Sequence, residues 1–176
     1  KKYKKSLNKH LLHKHHSNQM DMSKYALDIE QLRPTMRQQG LYFKEIMSDG
    51  NCLFRAVAVF MEGSQDNHRQ YRLMVANHIS KNRCEYQFLY ETEEELDHYI
   101  ENLKRDHIWA GDVEISILSK MLNLIFIIHS NNRPDLTVDN CEDRKRARTI
   151  HLAYHLSEHY NCLMSLQELE ELNGNQ

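Results

Sequence analysis

Residues 48–63 read SDGNCLFRAVAVFMEG, a tight turn signal joined directly to a long apolar run. Residues 48–51 of this stretch are of the types that favour a reversal of the chain. The apolar run from Cys52 to Met61 suits either a buried strand or a buried helix. Its length, its alanines and the stop at Gly63 favour the helix. The stretch therefore predicts a buried helix that starts at or near Cys52, immediately after a turn.

The spacing of apolar residues separates helices from strands in the rest of the chain. Helical spacing from Met22 to Leu32 predicts an N-terminal helix that ends before Pro34. Further predicted helices cover 66–83, 93–104 and 113–122, and predicted strands cover 41–47, 124–128, 150–156 and 160–166. The polar, charged segment 131–148 is predicted to be a loop. Helices in the first two thirds and strands concentrated later predict one α+β domain.

The overall composition is that of one ordinary globular domain. A chain of 176 residues, 40% of them hydrophobic, can bury a sizeable core, and 5 Gly and 2 Pro exclude collagen-like and low-complexity chains. The four cysteines lie far apart, which favours a reducing compartment, so we expect a cytoplasmic location, with the nucleus as the alternative. No stretch approaches the roughly 20 apolar residues that span a bilayer. We therefore expect neither a membrane span nor a signal peptide.

Charge is divided unevenly along the chain. Residues 1–20 hold six of the 23 basic residues and no acidic one, so the remainder has 17 basic and 25 acidic residues, a net charge of −8. This predicts a basic extension on an acidic domain and argues against a nucleic-acid partner. The extension also contains the histidine cluster His10, His13, His15 and His16. Such imidazoles can share a metal ion, but the surrounding lysines and the lack of Cys or carboxylate favour a flexible, solvated segment.

Cys52 is the strongest candidate for a reactive side chain. At the start of a helix its sulfur would lie beside unpaired backbone N–H groups and the positive end of the helix dipole. Such a position lowers a thiol pKa from about 8.5 to between roughly 3.5 and 7.5 and supplies donors for an oxyanion. The sequence therefore favours a nucleophile here over a core-filling thiol. The other cysteines are expected to be small apolar residues, namely Cys84, Cys141 and Cys162.

A thiolate nucleophile needs a general base, and His159 is the best of the 12 histidines. It opens the last predicted strand, with Asn161 two residues later. Strand alternation puts both side chains on one face, so the Asn161 amide oxygen can orient the imidazole. His151 and His155 lie on the preceding strand without a comparable neighbour and are expected to be exposed or half-exposed structural residues.

Three blocks of sequence together resemble the ovarian-tumour (OTU) family of cysteine proteases. They are DGNCLFRA at 49–56, WAGDVEI at 109–115 and EHYN at 158–161. The blocks occur in the family's order and extend the resemblance over roughly residues 41–166. One departure is mild, because Ala110 stands where many relatives have glycine.

The resemblance assigns chemical roles to particular residues. It implies that Cys52 is the nucleophile, His159 the general base and acid, and Asn161 the residue that orients His159. Asp49 matches an aspartate of the family motif that some accounts place in the active site. The residues alone suggest that this side chain forms the turn and caps the following helix, and both roles are compatible.

Two further features of the site are implied by the same resemblance. The loop that contains Gly50 and Asn51 would supply the backbone amides of the oxyanion hole. Trp109 would pack beside the catalytic centre and, with the loop at 131–148, line a narrow channel for the substrate. No metal ion or organic cofactor is implied.

The family implies a papain-like α+β fold in which a small central sheet packs between helices. The expected organisation is a flexible extension at 1–20, a helical segment at 21–40, the catalytic domain at 41–166 and a tail at 167–176. The implied activity is that of a thiol-dependent deubiquitinase, which hydrolyses the isopeptide bond after the C-terminal glycine of ubiquitin. The expected partners are ubiquitin, polyubiquitin chains and ubiquitinated proteins.

Two other classes of function stay open at this point. The chain is alternatively a non-catalytic ubiquitin-binding module, although the intact Cys52, His159 and Asn161 argue against that. It is alternatively a cysteine protease for another ubiquitin-like modifier, or a thiol acyltransferase, since these share the same Cys–His chemistry.

Overall fold

A computed structural model describes residues 21–174 of the chain. The predicted extension at 1–20, with its histidine cluster, lies outside these residues, as does the end of the predicted tail. The helices are α1 Met22–Gln38, α2 Cys52–Glu62, α3 His68–Lys81, α4 Arg83–Tyr86, α5 Glu93–Leu103, α6 Asp112–Leu122 and α7 Leu166–Gly174, with a 3-10 turn at Gln87–Leu89. The strands are β1 Tyr42–Lys44, β2 Leu124–His129, β3 Leu136–Val138, β4 Arg148–His155 and β5 His159–Met164.

The strands form one five-stranded sheet in the order β1-β5-β4-β2-β3. Strands β2 and β4 are parallel, and the other neighbouring pairs are antiparallel. The β4–β5 pair sets residue 155 directly opposite residue 159 and residue 153 opposite residue 161. These pairs place the two histidines of this strand end side by side.

Both faces of the central strands are covered by helices. On one face, alternate residues such as Leu152 and Cys162 join the main core, to which α2, α3, α5 and α6 contribute. On the other face, Ala153 and Leu163 pack against Leu32 and Met36 of α1. Since a sheet strand sends successive side chains to opposite faces, this arrangement confirms the predicted α+β fold with its sheet between helices.

The helix predicted from residues 48–63 is confirmed. It begins at Cys52, and Gly63 ends it with φ +78° and an N–H that donates to the Val59 carbonyl at 2.8 Å. Glycine adopts this left-handed conformation at little energetic cost, which is why a glycine after an apolar run predicts the end of a helix.

The prediction that the first helix ends before Pro34 is wrong. Helix α1 continues through Pro34 to Gln38, because Leu32 and Met36 on either side of the proline are both buried against the sheet. Packing of this stripe outweighs the loss of one backbone hydrogen bond at proline.

Two segments in the last third of the chain also differ from expectation. Strand β3 lies inside the segment predicted to be a loop, and at three residues it is too short to show alternation. Residues 166–174 form α7 where a tail was expected. Its start is a capping box, since Ser165 Oγ accepts the Glu168 N–H at 3.3 Å while the Glu168 carboxylate accepts the Ser165 N–H at 2.7 Å. No helix within residues 21–174 is both long and apolar enough to cross a membrane.

Candidate active site

Cys52 is the first residue of α2 and is almost completely buried, with 2% of its surface exposed. Burial raises the pKa of its thiol to about 11, against the opposing effect of the Tyr160 and Leu53 backbone N–H groups. The prediction of a lowered pKa is therefore wrong for the protein without substrate. The helix terminus supplies the expected N–H donors, but the loss of hydration destabilises the thiolate more than these donors stabilise it.

His159 begins β5 and contacts Asn161, as strand alternation predicts. The imidazole Nε2 lies 3.2 Å from Asn161 Oδ1, and both side chains are buried. The Ile46 backbone N–H donates to the same Oδ1 at 2.9 Å, which identifies this atom as the amide oxygen. Nε2 of His159 is therefore the donor, and Nδ1 is the nitrogen left to accept a proton.

The strand that carries His159 also reaches the nucleophile candidate. Residue 160 follows His159 directly, and its N–H group faces the Cys52 thiol. Burial lowers the pKa of His159 to about 4, with the hydrogen bond to Asn161 opposing that shift. At neutral pH the resting site thus holds a neutral thiol and a neutral imidazole.

Asp49 shapes the turn before α2. Its Oδ1 accepts the Asn51 N–H at 3.0 Å, and its carboxylate forms an ion pair with Arg55, whose Nη2 lies 2.6 Å from Oδ2. Burial raises the pKa of Asp49, but the hydrogen bonds from Arg55 and Asn51 outweigh it and hold this pKa well below its usual range. The turn-forming role is as expected. The capping role is not observed, since the N-cap residue is Asn51 and α2 has no side-chain cap.

Asn51 ties the turn to a second loop through its side chain. Its Oδ1 accepts from the Arg72 guanidinium at 2.6 Å and from the His107 N–H at 3.1 Å. Because the Asn51 N–H is already used by Asp49, it is not a free donor for an oxyanion. The N–H groups of Gly50 and Cys52 are the candidates that this turn leaves.

Arg72 of α3 is a fully buried cation that sequence reasoning missed. Its guanidinium also donates to the carbonyls of Leu103 at 3.1 Å, Gly50 at 3.2 Å and Ile108 at 2.7 Å. Burial lowers the pKa of Arg72 to about 10, so the side chain stays charged at neutral pH. This one residue joins the nucleophile turn to the segment 103–108. The available signal was an arginine within the apolar face of a predicted helix.

Gly50 occupies a position that admits no side chain. Its φ is +80°, and a Cβ atom there would lie 2.6 Å from the carbonyl carbon and 2.8 Å from the Cα of His107. Gly40 has a similar φ of +74°, but a Cβ atom there would point into open space. A side chain at residue 40 would therefore meet only backbone strain, whereas one at residue 50 would meet both backbone strain and steric overlap.

We expect Gly50→Ala to lower the free energy of unfolding by at least twice as much as Gly40→Ala. The left-handed φ costs alanine about 1–2 kcal/mol at either position, and only residue 50 adds the overlap with His107. Urea unfolding of both variants beside the native chain measures the difference. Equal losses of stability would contradict this prediction, because they would mean that the 103–108 segment shifts away from the new methyl group at no cost.

Trp109 lies beside the turn that precedes β5. Its indole N–H donates to the Glu158 carbonyl at 2.8 Å, and its ring stacks on Tyr160 with a centroid separation of 6.2 Å. It therefore holds the residues on both sides of His159.

The 131–148 loop contacts the first helix. Its Asn131 Nδ2 group donates to the Asp28 carbonyl of α1 at 2.7 Å. The channel wall assigned to this loop stays a prediction.

Of the two histidines on β4, His155 differs from the expectation, whereas His151 is half-buried as expected. His155 is fully buried, and its Nδ1 lies 2.6 Å from Asp28 Oδ2, whereas an exposed or half-exposed residue without an orienting neighbour was predicted. The strand alternation is as predicted, but α1 covers the face of β4 on which His155 lies. His151 is half-buried and its Nδ1 lies 2.9 Å from His129 Nε2.

A second residue missed by sequence reasoning lies on α1. The Asn161 Nδ2 group donates to the Tyr25 hydroxyl at 2.7 Å. The only signal in the sequence was an aromatic residue on the apolar face of the first helix.

Within residues 21–174, no group of three or more His, Cys, Asp or Glu side chains is arranged to hold a metal ion.

Comparison with known proteins gives consistent matches. A deubiquitinating enzyme of Arabidopsis thaliana that contains an ovarian tumour domain, number 7 of its series, is 36% identical over 80% of this chain and 37% of its own length. The next three curated relatives are covered over 11–33% of their lengths. The chain thus spans about a third or less of the length of each of these relatives.

Solved structures share the fold. The OTU domain of OTUD1 superposes with a TM-score of 0.72 at 26% identity, over 82% of this chain and 99% of that one. The Hazara virus OTU, solved bound to ubiquitin, gives a TM-score of 0.57 at 24% identity over 72% of this chain and 82% of that one.

The family model described as "OTU-like cysteine protease" matches residues 47–160, which include the turn, the nucleophile candidate and His159. The match covers more than half of the chain and agrees with the fold and with the three sequence blocks. This chain belongs to the OTU family of cysteine proteases.

Proposed function

We propose that the protein is a thiol-dependent deubiquitinase that hydrolyses the isopeptide bond after the C-terminal glycine of ubiquitin. The observation that carries the proposal is the meeting of Cys52, at the start of α2, with the strand that begins at His159. The name of the Arabidopsis relative and the ubiquitin bound to the Hazara virus OTU support ubiquitin as the substrate.

In this proposal the reaction begins from the neutral pair. His159 Nδ1 takes the Cys52 proton while the sulfur attacks the glycine carbonyl carbon, and the carbonyl oxygen becomes an oxyanion. The N–H groups of Gly50 and Cys52 are assigned to that oxyanion, since the Asn51 N–H is bonded to Asp49. Arg72 and Asp49 hold this turn through their hydrogen bonds to Gly50 and Asn51.

The second half of the reaction reverses the proton transfer. The imidazolium gives its proton to the departing lysine amine, the C–N bond breaks and a thioester remains on Cys52. His159 then takes a proton from water, whose oxygen attacks the thioester carbon. Release of the ubiquitin carboxylate returns the proton to the thiol. Asn161 holds the imidazole by its Nε2–H through both halves, which is the role we assign to it.

Asp49 and Trp109 have supporting roles in the proposal. Asp49 acts on the turn through Arg55 and Asn51, so we assign it no proton transfer. Trp109 fixes residues 158 and 160 around the base. Its half-exposed ring is the wall we assign to the channel for the two terminal glycines of ubiquitin. Polyubiquitin chains, with their repeated isopeptide bonds, are the proposed natural substrates.

The proposal predicts one covalent product with an electrophilic ubiquitin. Ubiquitin with a propargyl amide at its C-terminus is incubated with the full chain, and the product is digested and mapped by mass spectrometry. We expect one ubiquitin per chain, attached through the peptide that contains Cys52. A folded protein that stays unlabelled, or a label on the exposed Cys84, would refute the proposal.

A parallel incubation tests the choice of substrate. The same electrophile on a different ubiquitin-like modifier is expected to label at least about tenfold more slowly, the change that 1.4 kcal/mol of transition-state recognition gives. Faster labelling by that modifier would assign the chain to the other substrate class.

A further inference from the structure

We propose that Tyr25 of α1 is a positioning residue for catalysis, acting on His159 through Asn161. The inference rests on the proposed hydrolase activity, and it extends the catalytic unit to a helix that precedes the family match at 47–160. Three sets of contacts carry it.

The first set is the hydrogen bonding of the buried Asn161 amide. Its oxygen lies between two donors, the Ile46 N–H at 2.9 Å and His159 Nε2 at 3.2 Å. Its Nδ2 group donates to the Tyr25 hydroxyl at 2.7 Å. The amide is thus held at both ends, and the Tyr25 hydroxyl is the partner at the end away from His159. Without it a buried donor would lack a partner, a state that costs about 1–3 kcal/mol.

The second set is aromatic. The Tyr25 ring meets the His159 ring edge to face, with centroids 5.6 Å apart and planes at 81°. It meets the His155 ring in the same way at 5.4 Å and 89°. One tyrosine therefore packs against the proposed base and its neighbour on β4, and it limits the rotation of both imidazoles.

The third set fixes the helix that carries Tyr25. Asp28, one turn later on α1, contacts His155 Nδ1 at 2.6 Å through its carboxylate. Leu32 and Met36 continue the buried face of the helix against β4 and β5. At the other end, Asp21 caps the helix by accepting the Ser23 N–H at 3.1 Å. Tyr25 is thus held between a cap and a buried carboxylate–imidazole contact.

The test is Tyr25→Phe in the full chain, with Tyr42→Phe as its matched control. Tyr25→Phe keeps the ring and its packing and removes only the hydroxyl. Tyr42 lies on β1 and takes no part in the contacts of Asn161, His159 and His155 described above. We expect Tyr25→Phe to lower kcat on a fluorogenic ubiquitin substrate about tenfold, with KM within about twofold, because a loosened base slows the chemical step more than binding. We expect Tyr42→Phe to change neither.

A measurement independent of turnover separates this inference from the proposed activity. In the native chain the His159 Nε2 proton is buried and bonded, so it should give a slowly exchanging downfield NMR resonance, assigned by its absence in His159→Ala. We expect the resonance to broaden or vanish in Tyr25→Phe and to persist in Tyr42→Phe. An unchanged resonance together with native kcat in Tyr25→Phe would overturn the inference, as would an equal loss in both variants. If the native chain fails to cleave ubiquitin, the resonance alone decides the positioning role.

Discussion

Cys52→Ala is expected to reduce hydrolysis of the ubiquitin isopeptide bond by at least about 10⁴-fold. Without the sulfur no thioester forms, and no other described side chain occupies the position faced by the Tyr160 N–H. The fold should survive, because alanine fits the first turn of α2 and deletes a single buried atom. Multiple-turnover assays with an isopeptide-linked ubiquitin dimer measure the loss, and calorimetry with intact ubiquitin checks that binding is retained.

Cys162→Ala is the matched control for this experiment. Cys162 is also fully buried, it lies on β5, and burial raises the pKa of its thiol to about 12. Its side chain points into the main core, away from the face that His159 and Asn161 share. We expect a modest loss of thermal stability and native turnover. Equal inactivation of both variants would mean that the loss reflects damage to the core, and residual turnover above about a hundredth in Cys52→Ala would identify another nucleophile.

His159→Ala is expected to lower kcat by about 10²–10⁴-fold, the contribution of a well-placed general base. The effect should be large here because burial keeps the Cys52 thiol protonated, so attack requires a base that accepts its proton. Affinity for ubiquitin should change little, since the imidazole contacts the reacting atoms and not the folded body of the substrate. The substitution leaves a space of the size of an imidazole, and added imidazole should restore part of the rate.

His155→Ala provides the comparison for His159. The two residues are direct partners across the β4–β5 pair, and both are buried histidines in contact with the Tyr25 ring. Loss of His155 leaves Asp28 Oδ2 without its partner and a space in the core, so the melting temperature should fall. The kcat of the folded fraction should fall by no more than about tenfold, as in Tyr25→Phe, because His155 packs on Tyr25 but has no assigned role in proton transfer. Inactivation by His155→Ala with activity retained in His159→Ala would reverse the assignment of the base.

Local patterns were sufficient to predict much of this molecule. The turn and helix at 48–63 were readable because glycine and the apolar run mark their own boundaries. The pairing of His159 with Asn161 was readable because a strand repeats every two residues. Both depend on residues close together in the chain.

Contacts between distant segments could not be predicted in this way. Arg72 and Tyr25 reach the site from α3 and α1, and nothing in their own neighbourhoods shows what they contact. The lowered pKa predicted for Cys52 is wrong for the same reason, because it considers only the residues next to Cys52 in the chain. The helix terminus is a local feature that was visible in the sequence, whereas complete burial depends on β5, which follows about a hundred residues later.

The distance along the chain between the proposed nucleophile and the proposed base has a consequence for biosynthesis. Cys52 leaves the ribosome with the second helix, but His159 and Asn161 are on β5, which inserts between the edge strand β1 and β4. Until that strand emerges, β1 lacks its partner in the sheet and the thiol lacks the proposed proton acceptor. A growing chain therefore carries Cys52 before it has the proposed base, and we expect the proposed activity only after β5 has paired with β1 and β4.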